Sequence, residues 1–327
     1  MTPPEAAAVR AGGFSVAVVL HTLASDWSRQ ELAGIVDALR VHETDVVEVV
    51  DCGFDKAKQN CELRRLAASR ASAVISIPIG VSGVAEAHRA ISKSGKALML
   101  LDNAPTGLLP GADYTSVVPT DNFSLGGIAA DLLSPHVPHE GVAGILTYGP
   151  DFFAANEREI AFRKWMGAHR PDVTLVRGRF ASIEQAGAAF DRLMGENEDL
   201  DSLFVTWDEP ALRVLAAMRV ETRKLSMTTV DLGNAIAAEL AKGDLVKGVA
   251  AQCPYDQGRA AAVATLQSLI GRAPPPWIAM PGLAVKRGDV IDAYQTVWHT
   301  PAPPSLLAAC ERGPGCRGDV PRGGKEP

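Results

Sequence analysis

The chain has 327 residues, 47% of them hydrophobic and 21% charged, which is ordinary for a globular protein of roughly two domains. Lys and Arg number 32 against 38 Asp and Glu, a net charge of −6. That argues against a general nucleic-acid or anionic-membrane binder, whose phosphate contacts need a basic surface. Five cysteines in this length exclude a disulfide-dense mini-scaffold.

Taken in chain order, the segment 1–13 lacks the basic-then-apolar layout of a secretory signal. No apolar run approaches the roughly 18 residues of a membrane-spanning helix, so a soluble chain is expected. Residues 14–20 form a continuous β-branched run, as a strand buried on both faces should. Ser28 with Glu31 fits a capping box opening a helix that carries Leu32, Ile35, Val36 and Leu39 at helical spacing. Strands then read at 46–50, 73–79 and 97–101, with helices at 56–69 and 84–94. The pattern restarts after a Pro/Gly-rich stretch, 103–112. Helices read at 122–133, 155–168, 182–194, 211–220, 235–242 and 257–270. Strands read at 142–146, 173–176, 203–206, 225–230 and 245–251. Such alternation implies parallel sheets with helices on both faces. The run ALMLLD ending at Asp102 echoes LSMTTVD ending at Asp231, which suggests two similar α/β lobes. Residues 300–327 are rich in Pro, Gly and charge and read as a disordered tail, with Cys310 and Cys316 as two unremarkable thiols.

The usual enzymatic signatures are missing. No G-x-G-x-x-G follows a strand, and Gly95-Lys96 lacks the rest of a P-loop. Gly80-Val81-Ser82-Gly83 is one residue short of a nucleophile elbow. His139-Glu140 has no second histidine four residues on, and Cys52 and Cys61 lack metal-ligand spacing. No cofactor, metal site or catalytic residue is expected.

Ligands of open parallel sheets bind beyond the carboxyl ends of the strands. There the sequence places His21, Asp26 and Trp27; Asp102 and Asn103; and Tyr148, Asp151, Phe152, Phe153, Asn156 and Arg158. Arg179, Phe180, Trp207, Asp208, Asp231 and Gln252 complete the set. Carboxylates and amides match neighbouring hydroxyls, Arg offers a fork of donors, and aromatic faces cover the C–H patches of a sugar ring. Each Asp alone also reads as a helix cap, Asp121 and Asp208 most of all. The collective pattern points to a polyhydroxylated ligand.

Ordered landmarks carry a family resemblance. They are Trp27 after the first strand, Gln59, the AVISIP run at 73–78, Asp102, Thr120-Asp121-Asn122 with Gly126, Asn156 and Arg158 with Phe162. Trp207-Asp208-Glu209-Pro210-Ala211, Asp231, Gly243, Gln252, Gly258 and Leu269 to Gly271 follow. Over about residues 14–299 the chain resembles the periplasmic substrate-binding proteins of sugar ABC transporters, the ribose-binding-like, type I group. The resemblance implies two lobes, 14–103 with 253–283 and 104–252 with 284–299, joined by three crossings near Asn103, Gln252 and residues 281–284. It implies hinge closure on a sugar, with Trp27, Asp102, Asn103, Arg158, Phe180, Trp207, Asp231 and Gln252 lining the cleft. It further implies a periplasmic monomer that serves ABC permease subunits, with a monosaccharide or polyol as ligand and no nucleic acid as partner. Trp207, where pentose binders carry a small amide, speaks against ribose itself. Other readings on this fold are a LacI-type effector domain, for which the 13 residues before the first strand leave no headpiece, and a sensory binding protein. An α/β enzyme is disfavoured for want of a nucleophile–base pair.

Overall fold

The computed structural model describes residues 1–150, 152–311 and 316. In chain order the helices and strands are α1 (Pro3–Gly12), β1 (Ser15–Leu20), α2 (Asp26–Val41), β2 (Asp45–Asp51), α3 (Lys56–Ala67), β3 (Ala73–Ser76), α4 (Ala85–Lys93), β4 (Ala97–Leu101) and β5 (Ser116–Val118). Then come α5 (Asn122–Leu133), β6 (Val142–Tyr148), α6 (Phe153–His169), β7 (Thr174–Phe180), α7 (Ala186–Glu196), β8 (Leu200–Val205), α8 (Asp208–Met218), β9 (Ser226–Val230), α9 (Asn234–Lys242) and β10 (Val246–Ala251). The chain ends with α10 (Pro254–Leu269), β11 (Leu283–Val285), α11 (Val290–Trp298) and α12 (Pro304–Glu311). These elements fall into two compact α/β units.

The first unit holds Met1–Asn122, Pro150–Glu157 and Gln252–Gly282. Its sheet runs β2-β1-β3-β4-β5, all parallel. Side chains alternate across a strand, so β1 sends Val16, Val18 and Leu20 to one face and Ala17 and Val19 to the other. The first set packs with Ile35 and Leu39 of α2 and with Ala261, Ala262 and Leu266 of α10. The second packs with Leu63 and Leu66 of α3 and Ile91 of α4. Each fully buried Leu or Ile contributes about 1.5–3 kcal/mol. Helices α2 and α10 touch backbone to backbone at two glycines. A Cβ on Gly34 would meet the Tyr255 carbonyl oxygen at 2.0 Å, and one on Gly258 the Glu31 carbonyl oxygen at 2.1 Å.

The second unit holds Phe123–Gly149, Arg158–Ala251 and the chain from Leu283 onward. Its sheet runs β11-β10-β9-β8-β6-β7, parallel except for β11 against β10. Leu125, Ala129 and Leu133 of α5 and Phe162 and Met166 of α6 pack on Ile145, Phe204 and Val230. The Phe162 and Phe204 rings stack at 4.5 Å.

Several expectations need correction. Residues 104–122 stay with the first unit, because β5 adds to β4 and extends that sheet. Glu31 does not cap α2. The helix starts earlier, with Ser25 as N-cap accepting from the Ser28 N–H at 3.1 Å, so Glu31 lies inside it and fully buried. Asp208 is not an N-cap either: it is the first residue of α8, and Trp207 takes the cap position. The segment after Thr300 is not wholly irregular. Its Leu306 and Ala309 are buried in α12, which packs on α9, and Cys310 is bonded to Cys316 in a disulfide. The remaining tail residues, 312–315 and 317–327, lie outside the described residues.

Candidate binding site

Each unit gathers polar and aromatic side chains at the carboxyl end of its own sheet. In the first unit, His21 follows β1 and is buried. Its ring stands edge-on to Trp27, with centroids 5.8 Å apart, and to Phe54 at 4.8 Å. Phe54 in turn stands edge-on to Phe152 at 6.2 Å. Burial pulls the His21 pKa down to about 4, against a smaller opposing pull from Asp51, so the imidazole is neutral at pH 7. Neither His21 Nδ1 nor Trp27 Nε1 has a protein partner, although both atoms are buried. A neutral ring nitrogen and an indole N–H inside an aromatic wall suit a ligand that offers hydroxyls on an otherwise carbon skeleton.

Asp102 follows β4 with φ +62°, a left-handed conformation that a non-glycine residue adopts at a cost. Its N–H donates to the Val118 carbonyl at 3.1 Å, which continues the ladder to β5. Its Oδ1 accepts from Gln257 Nε2 at 2.9 Å. Asn103 is buried and donates to the Gly80 carbonyl at 3.2 Å, tying the β4 end to the loop after β3. Gln252, buried at the end of β10, and Asn156, near the start of α6, belong to this unit as well. Asp26 heads α2 and pairs with Arg29 at 2.5 Å, a local contact that also anchors the loop through the Leu23 and Ala24 carbonyls.

In the second unit, Asp231 repeats the Asp102 geometry. It follows β9 with φ +73°, and its N–H donates to the Ala250 carbonyl of the adjoining strand at 3.1 Å. Arg158 Nη1 donates to the Thr206 carbonyl at 3.0 Å and lies 3.9 Å from Asp231 Oδ2, with both side chains almost wholly buried. The position of Arg158 depends on Gly126. A Cβ there would meet the Arg158 carbonyl oxygen at 2.2 Å, so only glycine lets α5 and α6 close to this distance. Tyr148, Phe180 and Trp207 form a three-ring group with centroids 5.4–5.7 Å apart. Tyr148 and Phe180 are register partners on β6 and β7. Phe180 is buried and in tilted contact with both other rings. Asp208 Oδ2 accepts from the Gly233 N–H at 3.1 Å, which steadies the entry into α9.

The structure thus brings His21, Trp27 and Phe152 together in one unit, and Tyr148, Phe180 and Trp207, with Arg158 beside Asp231, in the other. Asp151 lies outside the described residues. Sequence reasoning missed Phe54, which stands three residues past β2 and was findable as an aromatic after a strand end. It also missed Gln257, whose role depends on a contact 155 residues away. Among the described residues no cluster of three metal-ligating side chains occurs, and no helix is long and apolar enough to cross a membrane.

Comparison with known proteins follows the same lines. The family model described as a periplasmic binding protein domain matches residues 16–273. No curated protein sequence matches. Among solved structures, an ABC transporter solute-binding protein from Agrobacterium vitis bound with α-D-tagatopyranose superposes with TM-score 0.78 at 18% identity, covering 85% of this chain and 96% of that one. A carbohydrate transporter solute-binding protein from Agrobacterium radiobacter in complex with D-arabinose gives 0.77 at 18%, covering 91% and 98%. An ABC transporter solute-binding protein from Mycobacterium smegmatis with bound glycerol gives 0.77 at 18%, covering 85% and 96%. These likenesses establish the fold: two α/β units of the type I periplasmic binding architecture.

Proposed function

The chain belongs to the periplasmic binding protein domain family, and on that premise we propose that it captures a sugar or sugar alcohol and delivers it to an ABC permease. Each unit supplies ligand-binding groups at the carboxyl end of its own sheet. The observation that carries this reading is the repeated aspartate. Asp102 and Asp231 both stand at strand ends in the left-handed conformation, each with its N–H tied to a neighbouring strand. Backbone strain of this kind, repeated at matching places in two units, belongs to a working site. Each carboxylate has a donor beside it, Gln257 at Asp102 and Arg158 near Asp231, and each unit also carries an aromatic group at strand ends.

In the binding step each aspartate accepts hydroxyl hydrogens, Arg158 donates to hydroxyl oxygens, and Trp27 and Trp207 cover the C–H faces of the ring. Charged hydrogen bonds of this type are worth about 1.5–3 kcal/mol each. A few of them supply most of the ~8 kcal/mol of a micromolar binder. The protein acts as a monomer outside the cytoplasm. The Cys310–Cys316 disulfide supports that location, since such bonds persist in oxidising compartments.

The test is a thermal-shift and calorimetric screen with D-tagatose, D-arabinose, glycerol and a wider panel of pentoses, hexoses and polyols. A ligand at one hundred times its Kd stabilises the fold by about 2.7 kcal/mol. A melting temperature unmoved by the whole panel at millimolar concentration would refute sugar binding.

A further inference from the structure

Gln257, on α10, is fully buried, and every hydrogen-bonding atom of its amide is used. Nε2 donates to Asp102 Oδ1 at 2.9 Å and to the Val118 carbonyl at 2.8 Å. Oε1 accepts from Thr120 Oγ1 at 3.1 Å. A primary amide has two N–H donors and one carbonyl oxygen, so this set is complete. The orientation is also unambiguous: turning the amide over would set its oxygen against a carboxylate oxygen and a carbonyl oxygen. The same Val118 carbonyl accepts the Asp102 N–H. Gln257 therefore grips both the side chain of Asp102 and the strand end that carries it.

Glu31 on α2 is fully buried, with neither carboxyl oxygen bonded to protein. Burial, and then the Asp102 charge, hold its carboxyl well above the usual carboxylate range. As a neutral acid, Glu31 adds no repulsion to Asp102.

We propose that Gln257 is a positioning residue for ligand capture: it presets the plane of the Asp102 carboxylate in which a ligand hydroxyl is accepted. The inference rests on the proposed function and adds to it a residue that touches no ligand. It predicts that specificity among sugars differing at the hydroxyl met by Asp102 is set from behind, by an amide on a different helix. Burial of a fully satisfied polar cluster fixes geometry more tightly than a solvated carboxylate can.

Two variants test it. Gln257→Met keeps the volume and removes both donors. Gln257→Glu keeps the shape and gains a proton at low pH, when its new carboxyl can again donate to Asp102; ionised, it repels Asp102. A crystal structure of unliganded Gln257→Met should show the Asp102 carboxylate turned from its present plane. An unchanged carboxylate overturns the proposal, whatever the ligand proves to be. Calorimetry with D-tagatose, D-arabinose and glycerol should show at least a tenfold loss for Gln257→Met. For Gln257→Glu the same loss is expected at pH 9, with recovery towards the wild type at pH 5. In the Asp102→Asn background, Gln257→Met should add less than twofold. Affinity equal to wild type, a loss in Gln257→Glu that is the same at both pH values, or fully additive losses would each overturn the positioning role. Wild-type protein that binds none of these compounds would count against the proposed function, while the crystal structure would still decide the role of Gln257.

Discussion

Replacing Glu31 with Gln should make the protein more stable, by an amount that grows with pH. Glu31 is fully buried, at the point where Gly258 brings α10 against the Glu31 carbonyl. Its carboxyl is pushed well above the ordinary carboxylate range by burial first and by the Asp102 charge second. The folded protein therefore keeps a proton on Glu31 at pH values where the unfolded chain has released it. The unfolded state then binds one proton fewer, so this group's contribution to stability falls by about 1.4 kcal/mol for each pH unit above about 4.5. The fall ends where the folded carboxyl itself ionises. Gln keeps the shape and carries no titratable proton. The stability difference between Glu31→Gln and wild type should therefore widen as pH rises from 5, by at most about 1.4 kcal/mol per pH unit, until the folded carboxyl ionises. Urea unfolding of both proteins at pH 5, 6 and 7 measures it, and every other titration common to the two cancels in the difference. A gap that stays constant with pH would mean that Glu31 titrates alike in both states, and the reasoning from its burial would be wrong.

Arg158→Ala and Asp231→Ala should each weaken sugar binding about ten- to hundredfold, read by calorimetry, with each variant still melting cooperatively. Affinity unchanged in both would remove the pair from the site. Trp207→Ala takes one ring from the group with Tyr148 and Phe180, so binding of D-tagatose and D-arabinose should fall more than binding of glycerol, which has no ring face to cover. His21 and His88, both buried with pKa values near 4, should show imidazole NMR signals that stay flat from pH 8 to pH 5. For these groups stability is complete above about pH 6.5 and is lost as pH falls towards 4, and a midpoint near 6.5 in either signal would contradict the burial argument.

The scaffold is legible in the sequence wherever a strand is a largely apolar run between amphipathic segments, as at β1, β4 and β6. It is not legible where an element has three residues. β5 and β11 are too short to show a period, and each is a strand only because a longer neighbour offers it a ladder. The C-terminal helix α12 is hidden by its Pro-rich approach, and its packing on α9 is a tertiary fact. In the candidate site, Asp102 and Asp231 stand out in the sequence because each directly follows a strand, and Arg158 because it falls in the polar and aromatic segment beyond β6. Phe180 is expected from the sequence as an aromatic at a strand end, and its place beside Tyr148 comes from the register of β7 with β6, which no local pattern shows. Glu31 looks like a cap in the sequence because its spacing from Ser28 is right. The helix begins at Asp26 instead, since Ser25 takes the cap.

The left-handed backbone at Asp102 and Asp231 bears on how this protein would respond to artificial evolution. A non-glycine residue held there costs on the order of 1–3 kcal/mol, and Gly, or to a lesser degree Asn, relaxes it. A library screened only for heat resistance should therefore enrich Gly and Asn at positions 102 and 231, the two substitutions that remove a carboxylate from each unit. Survivors of such a screen would be sturdier and mute to sugar. A screen that alternates heat with ligand capture should instead hold both aspartates and gather its gains elsewhere, at Glu31 first.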